Sequence, residues 1–270
     1  MRENIKLVAI DLDSTLLDSD GKLPEENKEV LLKIKDQGVK IVLATGRPFN
    51  GYWWIRQELG LEGFDDYTIC NTGAFIRRNA DGKILVDNSI DKYDYEKISG
   101  LLDSDEIQIA LFAGTALYNN SEPVNKEFFG DQELLKMPRL KFKNFEDIDE
   151  KIARVNFMGE ESVLDEFYEK NKEVLEADYM TMRNETYSLE VLNKSSGKAN
   201  SLKKLCDYLG IDLADVIYFG DGSNDTKAME LAGISVAMGN ADDEAKDTAD
   251  HKTVENDKAG VGEFLKKFLN

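Results

Sequence analysis

Hydrophobic positions follow two different rhythms along the chain. In the first eighty residues they come in short unbroken runs: IKLVAI (5–10), VKIVLAT (39–45) and YTIC (67–70). Val/Ile/Leu runs without alternation predict parallel strands buried on both faces. Between the first two, Val30, Leu31 and Ile34 mark the apolar face of a helix that Pro24 opens and Gly38 stops. A further helix is expected over about 49–59. After residue 80 the rhythm changes. IQIALF (107–112), ARVNFM (153–158) and YSLEVL (187–192) alternate or nearly so, which predicts half-exposed antiparallel strands. Helical stretches such as SVLDEFYEKNKEVLE (162–176) lie between them. From Lys198 the first rhythm returns, with a helix over 198–209, strand VIYFGD (216–221), a helix over 224–232, strand ISVAMG (234–239) and a last helix near 260–269.

This order predicts an α/β protein with a Rossmann-like parallel-sheet core built from both ends of the chain, residues 1–82 and 193–270. An α+β module, 83–192, is inserted into it. There is no internal repeat and no low-complexity tract, and the charged cluster at 242–250 reads as a solvated helix face.

At 270 residues and 41% hydrophobic content the chain can bury a substantial core, and no run approaches the length of a membrane span. The opening MRENIKLVAIDLD lacks an apolar signal stretch, so a cytoplasmic setting is expected. A net charge of −19 argues against nucleic acid as a partner. It does not exclude a phosphorylated small molecule. Diffuse surface charge is screened over roughly 8 Å at physiological salt, and a bound cation with one or two lysines reverses the sign inside a pocket. No obligate protein partner is implied. Cys70 and Cys206 form neither a disulfide framework nor a metal spacing, and Cys206 shares a helical face with Leu202, Leu205 and Leu209. Trp53 and Trp54 are expected to serve packing rather than chemistry. The single histidine, His251, lies in a polar stretch and is expected at the surface.

Four polar features sit where the core elements begin or end. Asp11 and Asp13 follow the first strand, Thr45 and Gly46 the second, and Asp221, Asn224 and Asp225 the strand ending in FGD; Lys198 begins the helix after the insertion. In open α/β sheets ligands bind beyond the carboxyl ends of the strands, near the reversal of strand order. Carboxylates without matching His or Cys suit a hard cation, Mg²⁺ above all. Thr45 and the Gly46 N–H offer donors to an anion, and Lys198 is a point charge suited to phosphate. Together they predict a site for a phosphoryl group, in which one carboxylate attacks phosphorus while another gives and takes a proton.

DLDST resembles the DxDxT signature of the haloacid dehalogenase-like hydrolase superfamily. ATGRP is similar to its second motif, Lys198 matches the third, and GDGSND the GDxxND fourth. MGNADDEAK and ENDKAGVGEFLKK resemble the C-terminal signature of the Cof-type subgroup, and the insertion looks like a type-two cap. The resemblance implies a Mg²⁺-dependent phosphatase acting on small phosphorylated metabolites, sugar phosphates in particular, through an aspartyl-phosphate. The cap would close over the core and choose the leaving group. The resemblance makes Asp11 the nucleophile and a metal ligand. Asp13 becomes the general acid/base, with its backbone carbonyl on the metal, and Asp221 the third metal ligand. It places the phosphate on the Leu12 N–H, Thr45, Gly46, Lys198 and Asn224. Asp225 would support the metal shell or orient Lys198, and Arg47 and Asn71 would reach the substrate or support the loop. In the cap, Arg183, Asn184 and Glu190 are expected to face substrate. The family often has Lys-Gly at the third motif; here it is Lys198-Ala199, which makes Lys194 a rival to Lys198. A phosphomutase of the same superfamily and a phosphoacceptor signalling protein are the alternative functions.

Overall fold

The computed structural model describes residues 5–135 and 137–269. In chain order the first strands are β1 (Leu7–Ile10), β2 (Lys40–Ala44), β3 (Tyr67–Cys70), β4 (Phe75–Arg78) and β5 (Ile84–Asp87). Helices α1 (Glu25–Asp36) and α2 (Trp53–Glu58) lie between β1 and β3. The middle of the chain carries α3 (Lys92–Ser99), β6 (Gln108–Phe112), β7 (Leu117–Tyr118), α4 (Lys126–Leu135), β8 (Arg139–Leu140), β9 (Arg154–Met158), α5 (Glu161–Asp178), β10 (Tyr179–Glu185) and β11 (Ser188–Asn193). The last part holds α6 (Lys198–Leu209), β12 (Val216–Gly220), α7 (Ser223–Leu231), β13 (Ile234–Ala237), α8 (Asp243–Thr248), β14 (His251–Lys252) and α9 (Gly260–Leu265). Two compact units result. One runs through Val86 and resumes at Gly197; the other is Asp87–Ser196.

The first unit is an α/β sheet in the order β14-β13-β12-β1-β2-β3-β4-β5. From β14 to β3 every pairing is parallel, and β4 turns back antiparallel to β3. β1 lies at the centre, fully buried, between β2 and β12. The strand order reverses there: β2 and β3 continue to one side, while the chain returns on the other side with β12. A ligand crevice belongs at that reversal, outside the carboxyl ends of β1 and β12. The antiparallel β4–β5 edge departs from the all-parallel expectation. FIRR and ILVD are four-residue strands joined by a tight turn in which Gly82 takes φ 68°, and they are too short to show a period.

Helix α6 shows how its sequence selects its packing. Lys198, Ser201, Leu202, Leu205 and Cys206 recur at helical spacing and are all buried. Each leucine removed from water there contributes roughly 1.5–3 kcal/mol. Helix α2 behaves otherwise. Its buried positions are Ile55 and Arg56, the latter seated over the Phe49 ring at 3.8 Å. Trp53 and Trp54 pack edge to face on each other, as expected of a packing pair, and Trp53 remains 54% exposed. Six residues give one narrow buried side, and the indoles are not on it. His251 is exposed, and both cysteines are buried and free.

The second unit is a sheet in the order β10-β11-β9-β6-β7-β8, antiparallel except for β7 with β8. One apolar cluster joins its strands to α3 and α5 through Ile98, Leu164, Phe167 and Leu175. A second cluster gathers Ala110, Phe112, Leu117, Phe128 and Met158. The expectation of half-exposed strands is therefore corrected: all of β9 and nearly all of β11 are buried. The polar positions of the alternation pair with each other. Arg154 Nε lies 3.3 Å from Glu190, and Asn156 donates to Ser188 Oγ at 2.9 Å. No described helix is long and apolar enough to cross a membrane.

The two ends of the chain are stitched together by buried amides. Asn27 Nδ2 donates to the Leu16 carbonyl at 3.0 Å, and its Oδ1 accepts the Gly262 N–H at 2.7 Å. Asn256 Nδ2 donates to the Leu17 carbonyl at 2.9 Å. The loop following Asp11 is thereby fixed by the C-terminal segment. Replacing Asn27 with Ala strands a buried carbonyl and a buried N–H. A loss of about 3 kcal/mol is expected, read as a lower urea midpoint at unchanged slope.

Candidate active site

Asp11 follows β1, and its N–H still donates to the Phe219 carbonyl of β12 at 3.0 Å. The chain then wraps tightly. Leu16 N–H reaches the Asp11 carbonyl and Leu17 N–H the Leu12 carbonyl, both five residues back, with Ser14 at φ 58°. Such wide turns are frequent at functional sites. The wrap buries Leu12, Thr15 and Leu16 and leaves Asp13 half outside. Thr15 does not serve its own turn; its hydroxyl donates to Asp221 Oδ1 at 2.6 Å.

The centre of the site is an ammonium. Lys198 Nζ is 2.7 Å from Asp11 Oδ1 and 2.8 Å from Asp225 Oδ1, and its side chain is 1% exposed. Residue 197 is a glycine at φ 107°, which lets the chain enter α6 with Lys198 already inside. Asp225 is fully buried and also accepts from Tyr218 Oη at 2.6 Å and from the N–H groups of Asp221 and Gly222. Its approach requires glycine at 220, where a Cβ would stand 2.5 Å from the Asp225 carboxyl carbon.

Asp11, Asp221 and Asp225 each place a carboxylate oxygen within 4.8 Å of the others. Burial, opposed by Lys198 and reinforced by Asp225 and Asp221, raises the Asp11 carboxyl well above its ordinary range. Burial also raises Asp221, against the Thr15 hydrogen bond and with the charge of Asp225. Burial pulls Lys198 down, but Asp11 and Asp225 outweigh it, and its affinity for the proton ends above the ordinary value. Burial, with the charges of Asp225 and Asp11, holds the Tyr218 phenol well up. Three carboxylates therefore gather beside one ammonium that pairs with two of them, and the cluster is short of positive charge. All its donors are hard oxygens, which fits an oxygen-preferring divalent cation.

The other residues singled out in the sequence fall as follows. The Asp13 carboxylate lies outside the carboxylate trio and is gripped by Arg47, Nε to Oδ2 at 2.9 Å and Nη2 to Oδ1 at 2.5 Å. Thr45 is buried beyond β2, where its hydroxyl accepts the Arg47 N–H. Gly46 lies between them, and Asn224 is half-buried in the first turn of α7. The rival Lys194 belongs to the other unit and bonds the Ala177 carbonyl. In that unit Arg183 is held by Asp165 and the Thr186 carbonyl, and Glu190 faces Arg154; the Asn184 side chain lies outside the described residues. Tyr218 was not legible as a site residue. A tyrosine in a buried strand looks like core until its hydroxyl is seen to find Asp225.

Comparison with known proteins agrees with this geometry. The sequence model of the haloacid dehalogenase-like hydrolases matches residues 8–265. The Bacillus subtilis phosphatase YwpJ is 29% identical over 289 residues, covering 98% of this chain and all of that protein. The 5-amino-6-(5-phospho-D-ribitylamino)uracil phosphatase YcsE of Bacillus subtilis is 30% identical over 270 residues, covering 98% of this chain and 96% of that one. The crystal structure of a haloacid dehalogenase-like hydrolase from Bacteroides thetaiotaomicron superposes with a TM-score of 0.87 at 28% identity, over 98% of this chain and 99% of that one. With the carboxylates, the buried lysine and the strand reversal all in place, the chain belongs to the haloacid dehalogenase-like hydrolases.

Proposed function

We propose that this chain is a Mg²⁺-dependent phosphatase that hydrolyses small phosphorylated metabolites, sugar phosphates first among them, through an aspartyl-phosphate on Asp11. The observation that carries the reading is the buried Lys198 bridge between Asp11 and Asp225, beside Asp221, at the reversal of strand order. A phosphorylated sugar-alcohol chain in the name of the relative YcsE supports the substrate class. The inserted unit, 87–196, is the cap domain of this reading.

Asp11 and Asp221 would hold the cation, with the Asp13 backbone carbonyl, and Asp225 would support them. When bound, Mg²⁺ supplies the positive charge that the trio lacks and a partner for the phosphoryl oxygens. Lys198 fixes one oxygen of Asp11 and so aims the carboxylate. The Leu12 and Gly46 N–H groups, Thr45, Lys198 and Asn224 hold the phosphoryl oxygens in line with Asp11. Asp11 forms a bond to phosphorus as the bond from phosphorus to the leaving oxygen breaks, and Asp13 gives that oxygen its proton. Asp13 then takes a proton from water, the water attacks phosphorus, and inorganic phosphate leaves as Asp11 is regenerated. Arg47 holds the Asp13 carboxylate after it has given its proton to the leaving oxygen and before it takes the next one from water.

Asp11→Asn is expected to lower kcat at least about a thousandfold while the circular dichroism spectrum is retained, because Lys198 keeps Asp225 as a partner. A variant with near wild-type turnover would remove Asp11 from the nucleophile role. Asp13→Asn is expected to accumulate a phosphorylated protein, visible by intact mass after mixing with substrate. Chelation with EDTA should silence phosphate release from a panel of phosphorylated metabolites, and added Mg²⁺ should restore it; activity indifferent to EDTA would end the metal assignment.

A further inference from the structure

The three residues after β3 run against backbone preference. Asn71 and Thr72 take φ of 50° and 54°, and Gly73 takes 78°. For threonine, branched at Cβ, the left-handed region is an outlier, and two such residues in succession persist only where the surroundings dictate them. Their backbone groups are dictated. Asn71 N–H donates to the Arg47 carbonyl, Thr72 N–H to the Thr45 carbonyl, and Gly197 N–H to the Thr72 carbonyl, all at 3.0 Å. Ser201 Oγ donates to the Gly73 carbonyl at 2.9 Å, and a Cβ on Gly73 would stand 2.3 Å from the Gly197 oxygen. The turn thus binds the Thr45–Arg47 loop to the residue that precedes Lys198.

Those bonds explain the turn but not its threonine. Glycine at 72 would make the same backbone contacts with less strain. Thr72 is buried overall, 2% exposed, yet its hydroxyl, which bonds no described residue, is not among the fully enclosed side-chain oxygens left without a partner, so it keeps an opening to solvent. Its Oγ1 lies 3.4 Å from where a Cβ on Gly46 would stand, the nearest atom to that position. A strained residue that presents an open hydroxyl serves no structural bond with it, and strain of this kind clusters where a ligand is held. The strain is accounted for if a ligand oxygen takes the hydroxyl beside Gly46.

We propose that Thr72 Oγ1 is a further hydrogen-bond donor to the phosphoryl group, standing beside the Gly46 N–H. This rests on the phosphatase reading and adds a residue outside the motifs that led to it. Asn71, 2% exposed and also without a side-chain hydrogen bond among the described residues, flanks it.

Two substitutions separate the hydroxyl from the strain. Thr72→Val removes the donor and keeps the branched side chain; Thr72→Gly removes the donor and relieves the strain. The measurement is competitive inhibition by inorganic phosphate during Mg²⁺-supported hydrolysis of p-nitrophenyl phosphate, alongside melting temperatures. Both variants are expected to weaken phosphate about tenfold or more, as for a lost hydrogen bond to a charged group, although the glycine variant melts higher than the valine variant. Thr72→Ser should recover most of the loss. If phosphate inhibition and kcat/KM stay at wild-type values in both variants, or if they follow the melting temperature rather than the hydroxyl, the proposal is overturned and Thr72 is structural. A wild-type protein that neither hydrolyses phosphomonoesters nor binds inorganic phosphate would bring down the phosphatase reading, and this assignment with it.

Discussion

The buried Lys198 ammonium is the constraint around which the core unit is arranged. It pairs with Asp11, 187 residues away along the chain, and with Asp225, 27 residues away, inside a region almost closed to water. An ammonium and two carboxylates taken out of water cost several kcal/mol each unless they find one another in good geometry. Several local features serve that geometry: left-handed Gly197 at the entry to α6, glycine at 220 where Asp225 closes in, Tyr218 Oη on the same carboxylate, and the strained turn at 71–73 that fixes Gly197 from behind. Each would be an unrelated oddity if the site were dispersed. Around a single buried charge they form one set of compensations.

The parts of this arrangement that were legible in the sequence are those that local pattern controls. Unbroken apolar runs placed β1, β2, β3, β12 and β13 within a residue or two, because a strand buried on both faces has no alternation to confuse it. The polar residues immediately after those runs are the ones the structure brings to the strand reversal, and Lys198 at the head of α6 is among them. What local pattern does not control was missed. The β4–β5 hairpin is too short to show a period. The strands β9 and β11 alternate like exposed strands but are buried, because Arg154 answers Glu190 and Asn156 answers Ser188 across the pair. Spacing cannot show that a polar position will be satisfied by another strand.

The same limit explains the carboxylates. From the sequence Asp225 looks like an auxiliary to Asp221, and Asp13 like an equal partner of Asp11. In the fold Asp225 is the most enclosed of the acids and shares Lys198 with Asp11, whereas the Asp13 carboxylate faces Arg47. The difference comes from the chain wrapping after Asp11, which keeps Leu12, Thr15 and Leu16 inside and leaves Asp13 and Ser14 outside. It also comes from Gly220, which leaves space for the Asp225 carboxylate in the first turn of α7.

The charge balance decides how such a site could take an anion at all. The chain carries a net charge of −19, but most of that is distant and screened. The nearer difficulty is that the charge of Lys198, even where it reaches a phosphoryl oxygen on the proposed reading, is already offset by two carboxylates. Aligned backbone N–H groups and hydroxyls, at Leu12, Gly46, Thr45 and Thr72 on the proposed reading, supply directed partial charges only. The trio of Asp11, Asp221 and Asp225 exceeds what one ammonium offsets, so a phosphoryl group entering alone would add negative charge to negative charge. On the proposed reading, a divalent cation among those oxygens would reverse the local sign and give the donors an anion to hold. The acidity that seems to exclude a phosphorylated substrate would then be what recruits the cation that admits it.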